Sequence, residues 1–426
     1  MATWYRTPML LATKIRLYPT AQHEQALAAQ FGCVRFIWNR ALAMKKAAWD
    51  ERKESLSCYT IKSMLPVWKK GEFPWLKDAD SQALQETIMH LDRAYRNFFE
   101  KRAAFPRFKK KHAARHSVAY PQRVKLDGNL IYLPKVGWVK AVVHREIAGR
   151  IKTVTVSRES TGKYYAAILA DDGMPEIAPL KHFDEGGVEG IDLGLTDAVV
   201  NAKGSKSGNP RPLNNALKNL KRKQQGLSRK IEAAKLRCKS AGKPIANIRE
   251  FFGSNIAKDR RRVARAHERA RNARNDWQHK ISRQLADENQ AVAAETLNVK
   301  GMMQNRRLSR AIANVGWNGL LTKTAYKLKR RGGCLVKIDR WFASTKTCSC
   351  CGAIKEGLEL SDRTWVCDVC NVTHDRDVNA AQNIRAAGII RLKAEGLSVS
   401  AHGSCVSPAH IAPAAAVEVG SLRLQA

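Results

Sequence analysis

The chain has 426 residues, with 75 Lys plus Arg against 38 Asp plus Glu and a formal net charge of +37. That length supports two to four domains, and the 44% hydrophobic fraction is that of a folded soluble protein. So large a positive charge opposes compaction unless a polyanion neutralises it. Nucleic acid is therefore the expected partner, and a membrane surface fits poorly, because no lipidation motif, basic amphipathic surface helix or apolar run near the ~18 residues of a span stands out.

Residues 1–18 lack the continuous apolar stretch of a signal peptide, so a cytoplasmic protein is expected. Leu10 to Leu17 reads as a short strand, stopped by Pro19-Thr20, which also cap a helix. That helix carries Leu27, Phe31, Val34 and Trp38 at helical spacing. A second helix follows Ser81, with Leu84, Ile88, Leu91, Tyr95 and Phe98 in one apolar stripe. Both stripes are read as core of a small helical domain.

Lys101 to Arg115 then contains seven Lys or Arg and no acid, interleaved with Phe105, Pro106 and Phe108. A solvated loop is the plain alternative, but basic residues mixed with aromatics suit backbone and base contacts together. Arg107, Lys109, Lys110 and Lys111 are the candidates there.

From about 117 to 180 the pattern turns to strands: Leu130–Leu133 after the Asp127-Gly128 turn, Ile151–Val156, and Tyr164–Leu169 after Ser160-Thr161-Gly162. The strand near 9–17 can join this β-rich module. Gly186-Gly187 opens a further domain, with strands expected over 188–193, 198–200, 291–295 and 334–338. Residues 213–285 read as helical, and Lys218 to Arg283 holds 21 Lys or Arg against five acids, more than solubility requires. After Gly396 the composition shifts to Ala, Ser, Pro and Val, and 397–426 reads as a flexible tail.

Three acids occupy notable positions. Asp192 follows Gly190-Ile191 at a strand end, Glu295 ends Ala291–Glu295, and Asp377 opens a helical stripe through Ala380, Ala381, Ile384, Ala387 and Ile390. Each alone is an ordinary strand-end or capping residue. Together, two strand-end acids and one helix-start acid can converge on one sheet edge, where three carboxylates suffice for two Mg²⁺ and phosphodiester hydrolysis. Between the second and third lies Cys348-x₂-Cys351, fifteen residues, then Cys367-x₂-Cys370, the spacing of a tetrahedral Zn²⁺ site. Four thiolates leave no open position for water, so this zinc is expected to be structural. Cys350 and His374 lie close enough to complicate the ligand assignment. Cys33, Cys58, Cys238, Cys334 and Cys405 are scattered and read as apolar fillers or free thiols.

The blocks Gly190–Gly194, Glu295–Val299, Ser344–Gly352, Trp365–Cys370 and His374–Ile384 resemble the TnpB proteins of insertion sequences. So do Arg16–Thr20, Phe31–Phe36, Ala94–Phe99 and Phe105–Lys109. The likeness spans about 10–395.

It implies an α/β multidomain protein with a RuvC (RNase H-like) nuclease domain at 186–396 and a zinc knuckle inserted at 344–374. A β-rich wedge module would comprise a strand in 1–18 and the segment 117–185, split around a helical recognition domain at 19–116. The implied activity is RNA-guided DNA cleavage, as in compact type V CRISPR effectors. A transposon-end guide RNA pairs with one strand of a double-stranded DNA target, beside a short adjacent motif.

By that resemblance Asp192, Glu295 and Asp377 hold magnesium, and Cys348, Cys351, Cys367 and Cys370 hold zinc. Tyr59 and Gln85 match the region that reads the adjacent motif, and 301–316 is a candidate lid. A monomer in a ribonucleoprotein is expected. A guided DNA-binding regulator that does not cut is the main rival, disfavoured by the intact acids. An unguided junction resolvase is the second.

Overall fold

The computed structural model describes residues 8–208, 211–359 and 361–400. The chain divides into two compact units, one holding the described residues up to Glu176 with Lys223–Arg265, the other Ile177–Arg222 with the described residues from Ala266.

The first unit opens with strand β1 (Pro8–Tyr18) and helix α1 (Ala21–Arg52), with Thr20 as the N-cap accepting from the His23 amide. Short helices α2 (Cys58–Ser63) and α3 (Leu65–Lys70) lead to α4 (Ser81–Phe99). The N-cap of α4 is Asp80, whose second oxygen pairs with Arg123 at 2.5 Å. As the stripes require, Leu27, Phe31 and Val34 of α1 and Leu84, Ile88 and Leu91 of α4 are buried. Buried Gln30 bridges the two helices, donating to the Asp78 carbonyl at 2.8 Å and accepting from the Asp80 amide at 3.1 Å.

Strands β2 (His116–Tyr120), β3 (Lys125–Asp127), β4 (Leu130–Leu133), β5 (Gly137–Val142), β6 (Arg150–Arg158) and β7 (Tyr164–Pro175) follow. With β1 they form a seven-stranded antiparallel sheet in the order β2-β6-β7-β1-β5-β4-β3. The N-terminal strand thus lies inside the sheet. Its Ile15 and Leu17 are fully buried while Lys14 and Arg16 alternate outward over Tyr165. One continuous hydrophobic core joins these strands to α1 and α4, so helices and sheet share a single interior.

The second unit begins with β8 (His182–Asp184), β9 (Val188–Asp192) and β10 (Val200–Asn201). The strand expected over 198–200 is thus two residues long and shifted. Helices α5 (Arg211–Ser240) and α6 (Ser254–Glu288) each cross the division between the units. The segment expected to be helical over 213–285 is so, as two helices joined by a bend at Gly242 (φ +64°) and a 3₁₀ turn at Ile245–Phe251. Lys230 on α5 pairs with Asp259 on α6.

Next come β11 (Ala291–Glu295), α7 (Val299–Met302), α8 (Ser309–Val315), α9 (Trp317–Lys329), β12 (Cys334–Ile338), β13 (Thr364–Val366), β14 (Thr373–Asp375), α10 (Arg376–Ala394) and β15 (Ser398–Ser400). The four-stranded sheet runs β10-β9-β11-β12, with β9, β11 and β12 parallel and β10 antiparallel to β9.

Both faces are covered, as a parallel sheet requires. Val292 and Ala294 face a core with α6, α8 and α9, while Ala291 and Ala293 face one with α10. β12 is the edge strand, and its exposed Lys337 shows it is less buried than its apolar run suggests. Gly190 lets α10 approach β9 closely, because a Cβ there would sit 2.1 Å from the Ala381 carbonyl oxygen.

Two expectations change at the ends of this unit. Residues 182–184, expected at the end of the β module, pair in parallel with 398–400, expected in the flexible tail. His182 lies between the Ser398 and Ser400 hydroxyls, at 2.6 and 3.1 Å. The rest of the expected tail, 401–426, and Cys405 with it, lies outside the described residues.

Candidate active site and metal centre

Asp192 ends β9 and Glu295 ends the adjacent parallel strand β11, one step beyond the Ala294–Ile191 pair. Asp377 sits in the first turn of α10, which packs across these strands. It does not serve as the helix cap, the plain alternative for an acid at this place. That role belongs to Asp375, whose carboxylate accepts from the Asp377 and Val378 amides at 3.1 Å each and receives Lys206 at 2.6 Å. Asp377 is thereby left free of backbone duty.

Asp192, Glu295 and Asp377 are all partly buried. The Asp192 carboxyl is pushed up to about 7, first by burial and then by the charges of Glu295 and Asp377. The fold therefore brings the three acids into one electrostatic neighbourhood. They are not packed as tightly as a closed metal site: among the described residues, the four-cysteine set is the group whose ligand atoms all lie within 4.8 Å of one another. Each of the other two acids is held from outside. Arg363 reaches Asp377 at 3.2 Å and Arg376 at 3.5 Å, and the Ser344 hydroxyl donates to Glu295.

The chemistry of this donor set suits a hard divalent cation, with oxygen ligands on a sheet rim and like charges that repel until a cation neutralises them. Arg363 carried no signal in the sequence, and Ser344 was visible there only as the first residue of the Ser344–Gly352 block. Arg363 precedes β13, whose pairing with β14 sets it opposite Arg376, and only the folded hairpin does so.

In the knuckle, Cys348 and Cys370 are 3.6 Å apart at sulfur, as are Cys351 and Cys367. Four thiolates at ~2.3 Å from a tetrahedral Zn²⁺ stand about 3.8 Å from one another, so this cluster fits the ion. Backbone amides of Cys370 and Val369 pull the Cys367 thiol down, which favours the thiolate a metal needs, while burial pushes Cys348 up. Cys350 is exposed and lies outside the cluster, whereas buried His374 packs its Nε2 3.1 Å from the Cys348 sulfur.

Asn379 and Asn383, on the buried face of α10, hold the knuckle's base. Asn379 accepts from the Ser349 amide at 2.9 Å and donates to the Thr347 carbonyl at 2.7 Å. Asn383 donates to the Ser344 and Thr347 carbonyls at 2.8 and 2.6 Å. Their four-residue spacing on an otherwise apolar helix face was the signal available for them.

In the first unit the basic linker is pinned along α1. The Trp38 indole donates to the Arg107 carbonyl at 3.0 Å, and Asn39 brackets the Lys109 backbone at 2.7 and 3.0 Å. Arg107, Lys109, Lys110 and Lys111 are all exposed. The Lys109 ammonium lies 3.9 Å from the Trp38 ring centroid, and local desolvation there lowers its pKa although the residue as a whole stays accessible. A hollow of about 530 Å³ is lined by Arg35, Lys110, Lys111, Arg115, His116 and Arg249, among others. Tyr59 on α2 is 70% exposed, with Lys62 over its ring, and Gln85 is half-buried on α4.

Comparison with known proteins gives three family matches: "Probable transposase" at residues 181–306, "Helix-turn-helix domain" at 9–54, and "Cas12f1-like, TNB domain" at 317–384. The 9–54 segment is a strand followed by one long helix in this chain. A "Putative RNA-guided DNA endonuclease" of Streptomyces pristinaespiralis is 35% identical over 386 residues, covering 89% of each chain. The "Putative RNA-guided DNA endonuclease InsQ" of Escherichia coli K12 is 33% identical, covering 89% of this chain and 92% of that one. Among solved structures, the mini-RNA-guided endonuclease CRISPR-Cas_phi3 aligns over 93% of this chain and 94% of its own, at 8% identity and TM-score 0.45.

Proposed function

Since the chain belongs to the TnpB (OrfB) family of insertion-sequence proteins, we propose that it is an RNA-guided DNA endonuclease with one RuvC-type, magnesium-dependent centre at Asp192, Glu295 and Asp377. The observation that carries this reading is the placement of Asp192 and Glu295 at the ends of two adjacent parallel strands with Asp377 in the first turn of the helix packed on them, close enough that Glu295 and Asp377 both raise the Asp192 carboxyl. Three residues 82 to 185 positions apart in sequence would not share a field by capping chemistry alone.

Bound divalent metal would supply charge neutralisation and an activated water at the scissile phosphate. The chain's own residues set the stage. β9 and β11 bring Asp192 and Glu295 side by side, Asp375 caps α10 so that Asp377 is not used as the cap, and the Ser344 hydroxyl orients Glu295. Arg363 brings a cation to the same point. The zinc knuckle, through Asn379 and Asn383, fixes the segment that carries Ser344.

Guide RNA and double-stranded DNA are the partners in this reading. The +37 charge serves backbone contact, base pairing supplies sequence choice, and Tyr59, Gln85, Arg107 and Lys109–Lys111 are the proposed contact residues of the first unit. The protein would act in the cytoplasm as a monomer in its ribonucleoprotein, with 301–316 as lid.

The test is cleavage by the purified ribonucleoprotein in Mg²⁺. Asp192→Ala is expected to lose at least about 1,000-fold in rate, or ~4 kcal/mol of barrier, with RNA-dependent DNA binding retained. Binding without nicks by the wild type points instead to a guided regulator.

A further inference from the structure

We infer that the turn after β12 is a base-stacking subsite, in which Trp341 and Arg340 take an unpaired nucleotide of the strand being cut, beside Glu295. The inference rests on the endonuclease reading for the identity of that strand.

The turn is anchored beside Glu295 at both ends, by backbone at one and by the carboxylate at the other. Ile338, the last residue of β12, lies in register with Glu295, and the Thr296 amide donates to its carbonyl at 3.2 Å. Six residues later the Ser344 hydroxyl returns to the Glu295 carboxylate. Between these anchors the backbone is held by its own bonds. The Trp341 amide donates to the Asp339 carboxylate at 2.7 Å, the Phe342 amide to the Asp339 carbonyl at 3.3 Å, and the Ser344 amide to the Phe342 carbonyl at 2.9 Å. Trp341 is three residues from each anchor, so about 10 Å of chain at most separates it from either.

Core packing does not explain this side chain. At 79% exposure Trp341 is the most exposed large apolar residue among those described. The Arg340 guanidinium lies 4.3 Å from its ring centroid and covers one face. An exposed indole on a hydrogen-bonded turn, with a cation on one face, presents the other to a flat π-system, and the cation suits the neighbouring phosphate. Phe342, 37% exposed, widens the apolar surface. Base and phosphate recognised together describe a single-stranded nucleotide. The place, one turn from Glu295, makes it a nucleotide next to the scissile bond. A duplex keeps its bases stacked internally, so the subsite discriminates for unpaired strand.

The full chain with its co-purified RNA is to be irradiated with a single-stranded DNA oligonucleotide carrying 5-iodouracil in place of thymine, and adducts mapped by mass spectrometry. Adducts on the peptide holding Trp341 are expected. In cleavage of the same oligonucleotide, Trp341→Ala is expected to raise KM by roughly 5- to 150-fold, the range of one lost stacking contact, with kcat changed less. Trp341→Phe should recover most of that loss, and unchanged zinc content shows the fold is intact.

Adducts elsewhere but none at Trp341, with Trp341→Ala cutting at the wild-type KM, overturn the subsite and leave the endonuclease reading standing. Adducts at Trp341 in a protein that cuts nothing uphold the subsite and sink the endonuclease reading.

Discussion

The two clusters of would-be metal ligands in the second unit are built in opposite ways. The four cysteine sulfurs lie within 4.8 Å of one another, while the three carboxylates share a field without closing to that distance. The difference follows from charge. Thiols can share protons at close range: burial holds the Cys348 thiol neutral while backbone amides favour the Cys367 thiolate, so the four sulfurs can gather with little net charge. Carboxylates repel, which disfavours close packing of the three acids, and arginine and serine side chains contact two of them at the rim. A closed site suits a structural ion, and an open one leaves room for water and substrate.

The sharpest way to break the comparison is to open the closed site. Cys351→Ser should lose the zinc, read by metal analysis. It should also lose cleavage by about 1,000-fold or more, because Ser344, Asn379 and Asn383 are organised through the knuckle's base. The first unit has its own core and should keep binding RNA. Zinc loss with full activity would show that the knuckle does not organise the acids.

A smaller effect is expected from the open site's rim. Arg363→Ala removes the guanidinium from Asp377. If that cation serves the developing charge on the phosphate, kcat falls by roughly 10- to 100-fold with the Mg²⁺ requirement unchanged, and Arg363→Lys recovers part. A Mg²⁺ titration moved to lower concentration, with kcat preserved, would instead mark Arg363 as a mere competitor for Asp377.

Much of this was legible because it is local. The stripes on α1 and α4, the cap at Thr20 and the alternation at Ile15 and Leu17 depend on near neighbours. The cysteine spacing carries its geometry with it. Other features depend on contacts that no local pattern encodes. β15 forms only because β8 offers an edge 216 positions away, and the same composition elsewhere would be a tail. Asp375 and Asp377 look alike as caps, and only the helix geometry assigns one to the amides and frees the other. Lys109 reads as one of a run of basic residues, but Trp38 lies under its ammonium. Arg363 meets Asp377 through a hairpin whose register no sequence period sets.

The mildest prediction uses pH to test whether the acids are coupled at all. In the metal-free fold Asp192 is held up from 3.8 to about 7, first by burial and then by Glu295 and Asp377. A carboxyl raised in the folded state binds its proton more tightly there than in the unfolded chain. Its contribution to stability is therefore fully present below pH ~4 and is lost as pH rises through about 7. Asp192→Asn removes that loss. It should stabilise the chelated protein at pH 8 by on the order of 1–3 kcal/mol and leave stability at pH 4 nearly unchanged, read as Tm against pH. Magnesium reverses the sense, because it takes the ionised form. Wild-type cleavage at limiting Mg²⁺ should fall about tenfold per pH unit below 7, and saturating Mg²⁺ should move that fall to lower pH. An Asp192→Asn protein whose Tm tracks the wild type at every pH would mean the carboxylates do not feel one another, and the contrast between the open and closed sites would lose its cause.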